Sequence, residues 1–302
     1  MVDQVSRIFD DAGCVGALHV RRLSDDAEVD LRAENVWLAA SIIKVAIGLE
    51  FYAQADDGAL DPARLITLVP GRRTPGPTGI SCATDAVTMS LRDLCAAMLA
   101  ISDNAATDAV LEVVGIAAVN DRLARLGCTS TVLVESIGSS IDALATELGF
   151  PDYATLLRAQ AGDLGPDAQR ASTDQERIGA TRVLDPARAT RTTARDMTRL
   201  LHAVWSDEAA SEAACADLRQ AMAGQVTRRL APAVPDGGGL AAKSGSFFGR
   251  VRNEIGVITA PTGERYALAV LTRPHRPFVG TATIDHAMAE AVRVAIADLG
   301  GV

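Results

Sequence analysis

The stretch that decides the fold runs from residue 41 to residue 56 and reads SIIKVAIGLEFYAQAD. Apolar side chains occupy nearly every position around it, a pattern typical of a helix that is buried on most sides. Lys44 interrupts this apolar run, and a lysine is rarely buried unless its amine is paired. Ser41 precedes it by three residues, so the two side chains share one helix face.

Ser41 and Lys44 allow two interpretations. Burial lowers the pKa of a lysine, and a partly neutral amine beside a hydroxyl can take its proton and make Ser41 a nucleophile. The start of a helix also offers backbone N–H groups that stabilise developing negative charge. Alternatively, Ser41 caps the helix and Lys44 extends its amine into water at the helix edge. The tetrapeptide alone fits both interpretations equally.

Two further motifs combine hydroxyl groups with polar or basic side chains. Ser102-Asp103-Asn104 precedes an apolar helical run, where all three residue types are also favoured as helix caps. Lys243-Ser244-Gly245-Ser246 lies on a predicted strand, where the lysine and hydroxyls suit a substrate carboxylate and Gly245 permits close backbone approach. The alternative for this second motif is a solvated edge strand with a protective lysine.

Strand periodicity occurs at both ends of the chain, with helical periodicity between them. Strands are predicted at 15–23, 27–34, 240–248, 250–260 and 265–273, and the first two form a hairpin. Helices are predicted at 4–12, 41–56, 90–100, 104–114, 116–126, 192–205, 207–223 and 281–298. This order predicts an α/β (α+β) fold with a five-stranded antiparallel sheet flanked by terminal helices. The predicted subdomains are an α/β unit (1–38 and 206–302) and a helical unit (39–205) with an insertion at about 140–185.

Composition narrows the possible partners. The formal net charge of −9 over 302 residues argues against nucleic acid, and no apolar run is long enough to span a bilayer. The first residues lack the basic and apolar regions of a secretory signal, so a cytoplasmic location is expected. Five scattered cysteines fit reduced thiols, and four histidines without paired spacing predict no metal. No cofactor is expected.

The order S-x-x-K, then S-D-N about sixty residues later, then K-[ST]-G on a late strand, is the signature set of active-site serine β-lactamases and penicillin-binding proteins. The chain resembles the class A β-lactamase family in these motifs and beyond them. Further similar segments are residues 76–81, 91–107, 191–197, 251–256 and 266–272. The resemblance covers most of the chain except about 135–185.

The resemblance implies a role for each motif residue. Ser41 attacks an acyl carbonyl, Lys44 takes its proton, and Ser102 relays a proton to the leaving nitrogen. Asn104 fixes the geometry near Lys44, and Lys243 supplies positive charge near Ser102. The remaining implied contacts concern the substrate carboxylate and the oxyanion hole. They involve Ser244, Gly245, Ser246 and either Arg250 or Arg252, although these two arginines also fit plain surface charges.

One part of the family pattern is missing. Class A enzymes carry an E-x-x-L-N motif whose glutamate positions the deacylating water, and counting from Gly127 places Ile137 at that position. Glu135 is two positions early: it could replace that glutamate only if the loop follows a different path, and otherwise we expect a surface acid. The acid-rich insertion at about 140–185 fits either a lid over the site or a solvated decoration. Acylation is therefore expected, whereas rapid hydrolytic deacylation is not.

Three functions remain open from the sequence. The first is a β-lactamase-like serine hydrolase or acyltransferase, with an amide, lactam or ester substrate that carries a carboxylate. The second is a sensor that is acylated by a β-lactam and retains it. The third is a scaffold without catalysis, against which Lys44 in an apolar helix argues.

Overall fold

The computed structural model describes residues 1–301, and its centre is one antiparallel sheet. Its strands are β1 (Cys14–Arg22), β2 (Glu28–Leu31), β7 (Gly239–Phe247), β8 (Val251–Thr259) and β9 (Arg265–Pro274). They lie in the order β2-β1-β9-β8-β7, and every neighbouring pair is antiparallel. The predicted five-stranded sheet built from both ends of the chain is confirmed.

The remaining elements are mostly helical. The helices are α1 (Val2–Asp11), α2 (Lys44–Asp56), α3 (Leu91–Ala100), α4 (Asn104–Val114), α5 (Ile116–Arg125), α6 (Ile137–Glu147), α7 (Tyr153–Ala161), α8 (Pro166–Thr173), α9 (Gln175–Gly179), α10 (Ala194–Trp205), α11 (Glu212–Ala223) and α12 (Thr281–Asp298). Short strands form two further pairs: β3 (Trp37–Leu38) with β6 (Arg191–Thr192), and β4 (Leu65–Leu68) with β5 (Val87–Ser90).

The two faces of the sheet are covered by different helices. The terminal helices α1 and α12 pack on one face and share a core with β1 and β9, as predicted. Gly16 on β1 makes this approach possible, because a Cβ there would lie 2.4 Å from the Phe9 ring of α1. Helix α10 packs on the other face of the sheet. The apolar residues of that face belong to the same core as those of the helical region.

The helical region surrounds α2, whose apolar residues are buried on nearly all sides. Helix α11 also packs against α2, although it follows residue 206 in the chain. The division of the chain into an α/β subdomain (1–38 and 206–302) and a helical subdomain (39–205) stays a prediction. Helices α6 to α9 form the predicted insertion, and it has a small apolar core of its own. That core also contacts Phe247 and Phe248 at the tip of the β7–β8 hairpin.

Two findings concern the chain between residues 1 and 301 as a whole. No helix in this part is long and apolar enough to cross a membrane. All five cysteines carry free thiols, and only Cys82 among them is exposed.

Candidate active site

The chain turns sharply before Ser41. Ala40–Ile43 form a 3₁₀ turn and the α-helix begins at Lys44, not at Ser41 as the apolar pattern predicted. Ala40 has a φ of 48°, a left-handed conformation that is costly for a residue with a Cβ. Its neighbour Ala39 is anchored from the sheet, where Asn253 donates from Nδ2 to the Ala39 and Leu38 carbonyls. The strain is therefore held at the residue before the proposed nucleophile.

Lys44 is fully buried, with 0% exposure, so the interpretation in which its amine reaches water is wrong. Its Nζ donates to the Ser102 carbonyl at 2.9 Å, to Ser102 Oγ at 3.3 Å and to Asn104 Oδ1 at 3.0 Å. All three acceptors are uncharged. Burial lowers the pKa of Lys44 to about 7, and the carboxylates of Asp108 and Asp103 only partly oppose this effect.

The residues of the Ser102-Asp103-Asn104 motif have two different roles: one caps a helix, and the other two contact Lys44. Asp103 is the N-cap of α4, accepting from the Ala105 and Ala106 N–H groups, so the capping interpretation is correct for this residue. Ser102, with a φ of 60°, and Asn104 face Lys44 instead. Asn104 also donates from Nδ2 to the Pro75 carbonyl. This bond connects the loop before residues 76–81 to the surroundings of the Lys44 amine.

Strand β7 lies directly against the Ser41 turn. A Cβ on Gly245 would lie 3.1 Å from the Ser41 backbone nitrogen and 3.2 Å from the Ala39 carbonyl oxygen. Only glycine fits this approach without displacing the turn. Ser246 lines one cavity together with Ser41, whereas the buried Ser244 does not line it.

Lys243 is 0% exposed although β7 is an edge strand, so the protective-lysine interpretation is wrong. Its Nζ donates to the Ser244 carbonyl at 2.9 Å. Burial, followed by the charges of Lys44 and Arg229, lowers the pKa of Lys243 well below its usual value. A carboxylate bound nearby would favour the charged form and raise that pKa.

Two arginines lie beside Ser246: Arg252 is its cross-strand partner on β8, and Arg229 reaches its hydroxyl from a loop. Arg229 Nη2 donates to Ser246 Oγ at 2.8 Å, and Nη1 donates to the Asn253 carbonyl at 2.6 Å. The guanidinium of Arg252 pairs with Asp285 on α12, and its role in substrate binding stays a prediction.

Sequence reasoning missed Arg229 and its anchor. Glu254, buried on β8, accepts from the Arg229 and Leu230 N–H groups and so fixes this loop. Burial raises the pKa of Glu254 to about 7. The available signal was an acid directly before the apolar residues 255–258 of β8, whereas Arg229 lies in a loop with no distinguishing pattern.

A cavity of about 370 Å³ opens at Ser41. Its lining combines Ser41, Asn104 and Ser246 with residues of the insertion, among them Ser140, Ile141, Tyr153 and Val183. The insertion therefore forms one wall of the cavity, rather than a decoration remote from it. Four aromatic side chains, here called the aromatic rim, also line it: Tyr153, Phe247, Phe248 and Phe278.

Glu135 lines this cavity too, but its carboxylate is occupied. Arg182 of the insertion binds both oxygens at 3.0 Å, and Ser140 Oγ donates to Oε1 at 3.0 Å. The Glu135 side chain is 17% exposed, so the expectation of a surface acid is wrong. Ile137 also lines the cavity, and its N–H and that of Gly138 donate to Asp108 on α4.

The residues do not suggest a metal site. Among residues 1–301 no group of three or more His, Cys, Asp or Glu side chains is placed to hold an ion. Arg250, the other arginine considered for a carboxylate, donates to the Gln175 carbonyl of α9 and does not line the Ser41 cavity.

The five-stranded sheet with its helical region is a β-lactamase-like fold, and the comparisons give the family. The chain belongs to the β-lactamase enzyme family, whose model matches residues 1–299. This result confirms the resemblance drawn from the three motifs.

The individual relatives carry different names: one is a regulatory protein, and others are β-lactamases. The β-lactamase regulatory protein BlaB of Streptomyces cacaoi is 28% identical over 297 residues, which is 94% of this chain and 92% of that protein. The β-lactamase of Sphaerobacter thermophilus superposes with a TM-score of 0.77 at 22% identity, covering 99% of this chain and 97% of the other. A class A β-lactamase of Mycobacterium abscessus gives a TM-score of 0.77 at 18% identity, covering 99% of both chains. The two solved structures show the shared fold.

Proposed function

We propose that Ser41 is acylated by a small amide, lactam or ester that carries a carboxylate, and that the acyl group then leaves slowly. The observation that carries this proposal is the buried Lys44 amine, held only by uncharged acceptors and with its pKa lowered to about 7. Such an amine is free to accept a proton near neutral pH.

Acylation follows from the arrangement of four groups. The neutral amine of Lys44 takes the proton of Ser41 Oγ as that oxygen bonds to the substrate's carbonyl carbon. The N–H groups of Ser41 and Ser246 receive the negative charge that develops on the carbonyl oxygen. As the bond to the leaving nitrogen breaks, the Ser102 hydroxyl passes it a proton, and Ser102 is resupplied by Lys44, whose Nζ lies 3.3 Å from Ser102 Oγ. Lys44 returns to its neutral form.

Recognition of a carboxylate is supported by the charges behind β7. Lys243 and Arg229 are both buried, and Arg229 already reaches Ser246 Oγ at 2.8 Å. A substrate carboxylate at Ser244 and Ser246 would accept from these hydroxyls. It would also add a negative charge beside Lys243 and Arg229, of which only Arg229 has a carboxylate partner within residues 1–301, namely Asp285 at 3.3 Å from its Nε.

Slow deacylation is supported by the opposite wall. Ile137 occupies the position at which the family places its water-activating glutamate, and an aliphatic side chain accepts no proton. Glu135 is held by Arg182 and Ser140, so both of its oxygens are already engaged. Neither position 135 nor position 137 therefore offers a free carboxylate that could activate water for attack on the acyl group.

A regulatory use of this chemistry is the second candidate. The relative from Streptomyces cacaoi is named as a β-lactamase regulatory protein and matches over nearly the whole chain. A protein that is acylated and retains the acyl group can report the presence of the acylating compound. An acyltransferase would instead pass the group from Ser41 to a second acceptor.

Intact-mass spectrometry of the protein mixed with a chromogenic β-lactam tests these statements. We expect a mass increase equal to the whole β-lactam that persists for many minutes, with little colour change beyond one equivalent. The Ser41→Ala variant should show neither. Rapid multiple turnover would overturn slow deacylation, and absence of an adduct with β-lactams and with a panel of carboxylate-bearing esters would overturn acylation.

A further inference from the structure

A second cavity, of about 740 Å³, lies at the end of the five-stranded sheet where β1 begins and β9 ends. Strand β3 and the chain after α9 form its other walls. Leu38 is the one residue shared by the described linings of this cavity and the Ser41 cavity. The two cavities are therefore neighbours with separate linings.

The second cavity is basic within an acidic protein. Its lining contains Arg32, Arg250, Arg273 and His275 but no aspartate or glutamate, although the chain has a formal net charge of −9. None of these three arginines has a carboxylate within 4.0 Å among residues 1–301. Arg195, outside this cavity, contrasts with them because it pairs with three acids.

Arg250 is the most exceptional of the three. It is half-buried, and its Nη2 donates to the Gln175 carbonyl, a neutral acceptor. Its Nε is buried without any hydrogen-bond partner. Burial lowers the pKa of Arg250, and no neighbouring acid counters the effect. A guanidinium that has lost water without gaining a counter-ion is unfavourable, and a bound anion would compensate it.

Most of the remaining lining is apolar, and Asn35 and Thr272 are its polar exceptions. Val15, Trp37, Leu184 and Pro274 face the same space as the cations. Trp37 also has a buried indole N–H without a partner. A ligand that fits this lining combines negative charge with a compact apolar body.

We propose that this second cavity binds an organic dianion with an apolar body, of which an aryl phosphate monoester is a simple example. Arg250 and Arg273 bind the charged group, with Arg32 adding to the positive potential. Arg32 itself is partly engaged, because its guanidinium donates to the Gly16 carbonyl and to Ser6 Oγ. The apolar body lies against Trp37 and Pro274.

Phenyl phosphate is the probe for this proposal, and tryptophan fluorescence is the signal. The chain has two tryptophans, and only Trp37 lines the second cavity. We expect a saturable fluorescence change with phenyl phosphate, weaker binding of inorganic phosphate, and no response to benzyl alcohol. The Trp37→Phe variant should lose the signal but still bind by calorimetry.

Charge-removing variants locate the ligand. Arg250→Gln and Arg273→Gln should each weaken phenyl phosphate binding about tenfold, because each removes a charge-assisted contact. The matched control is Arg92→Gln, which removes an exposed arginine on α3 and should leave the affinity unchanged. If Arg250→Gln disturbs folding through its contact with α9, the exposed Arg273 decides the matter alone.

Three results would overturn the proposal. The first is an affinity that falls equally in Arg92→Gln and Arg273→Gln, which would indicate general attraction by positive charge. The second is weakening by Ser246→Ala but not by Arg273→Gln, which would place the ligand in the Ser41 cavity. The third is the absence of binding by calorimetry at millimolar phenyl phosphate.

Discussion

Two regions of the site differ in how their charged groups are paired: the buried lysines Lys44 and Lys243, here called the floor, and the insertion side with Glu135, Ile137 and Arg182, here called the wall. On the floor, Lys44 and Lys243 are fully buried, and their amines donate only to neutral oxygens. On the wall, the carboxylate of Glu135 is matched by both Nη groups of Arg182. Burial without a counter-ion shifts a pKa and leaves a group reactive, whereas pairing holds a group in its ordinary charged form.

Under the proposed function, this difference separates two halves of one reaction. The floor would form the acyl-enzyme, and the wall would offer no free base to remove the acyl group. The two halves also belong to different cores, because the insertion packs around an apolar cluster distinct from the one that contains α2. Changes in the wall should therefore alter deacylation without affecting acylation.

The largest expected effect comes from removing the proton acceptor on the floor. Lys44→Ala should slow acylation of Ser41 at neutral pH by about a thousandfold or more, because the hydroxyl loses its base. Lys44→Arg is the matched control: it keeps a cation and hydrogen-bond donors but cannot accept a proton. Time-resolved mass spectrometry measures both, and normal acylation in either variant would contradict the assignment of Lys44.

A gain of deacylation is the next largest expected effect. Ile137→Glu places a carboxylate in the lining of the cavity and should speed loss of the acyl group by about a hundredfold, within the usual range for a general base. Ile137→Gln has the same length without the base and should leave the acyl-enzyme persistent. Equal lifetimes for the two variants would show that the wall limits deacylation by something other than a missing base.

The pH dependence of acylation tests the floor without a mutation. Lys44 accepts a proton only as the free amine, and its pKa is lowered to about 7 by burial. The acylation rate should therefore rise as pH increases through 7 and level off above it. Below that point the rate should fall about tenfold for each pH unit. Stopped-flow rates between mildly acidic and mildly basic pH measure this, and a flat profile would contradict it.

The smallest expected effect concerns the aromatic rim. Phe248 packs edge-on against Tyr153, with ring centroids 6.4 Å apart, and lines the cavity beside Ser41. Phe248→Ala should reduce acylation by a substrate with an aromatic side chain about fivefold relative to one with a methyl group. Val226→Ala, at an exposed position outside the described cavity lining, is the control. If the ratio of the two acylation rates is unchanged in Phe248→Ala, the aromatic rim does not contribute to substrate selection.

The fold was largely predictable, because its signals are local. Alternating residues at 15–23 and 265–273 mark two strands, which pair with each other in the structure as β1 and β9. The start of α2 was less predictable. The 3₁₀ turn before Lys44 depends on the strained Ala40 and on Asn253, which reaches it from a strand far along the chain. No periodicity around residue 41 contains that information.

The site was predictable where a motif marks it and not where distant segments meet. Ser41, Lys44, Ser102 and Asn104 were assigned through the family resemblance of their motifs, and the structure brings the last three into hydrogen-bond contact. The pairing of Glu135 with Arg182 joins residues 47 positions apart through a folded insertion. Likewise, Asp285 on α12 pairs with both Arg229 and Arg252, and Arg229 also contacts Ser246. These pairings depend on tertiary packing that a local pattern does not contain.

The contact of Gly245 with the Ser41 turn also has a consequence for the order of synthesis. Ser41 leaves the ribosome early, but the strand that completes its surroundings is made in the last third of the chain. Pairing of segments so far apart is slow relative to local helix formation. A nascent or truncated chain that has not yet formed β7 thus presents a serine without its oxyanion partner. Acylation of Ser41 should therefore distinguish full-length folded molecules from unfinished ones.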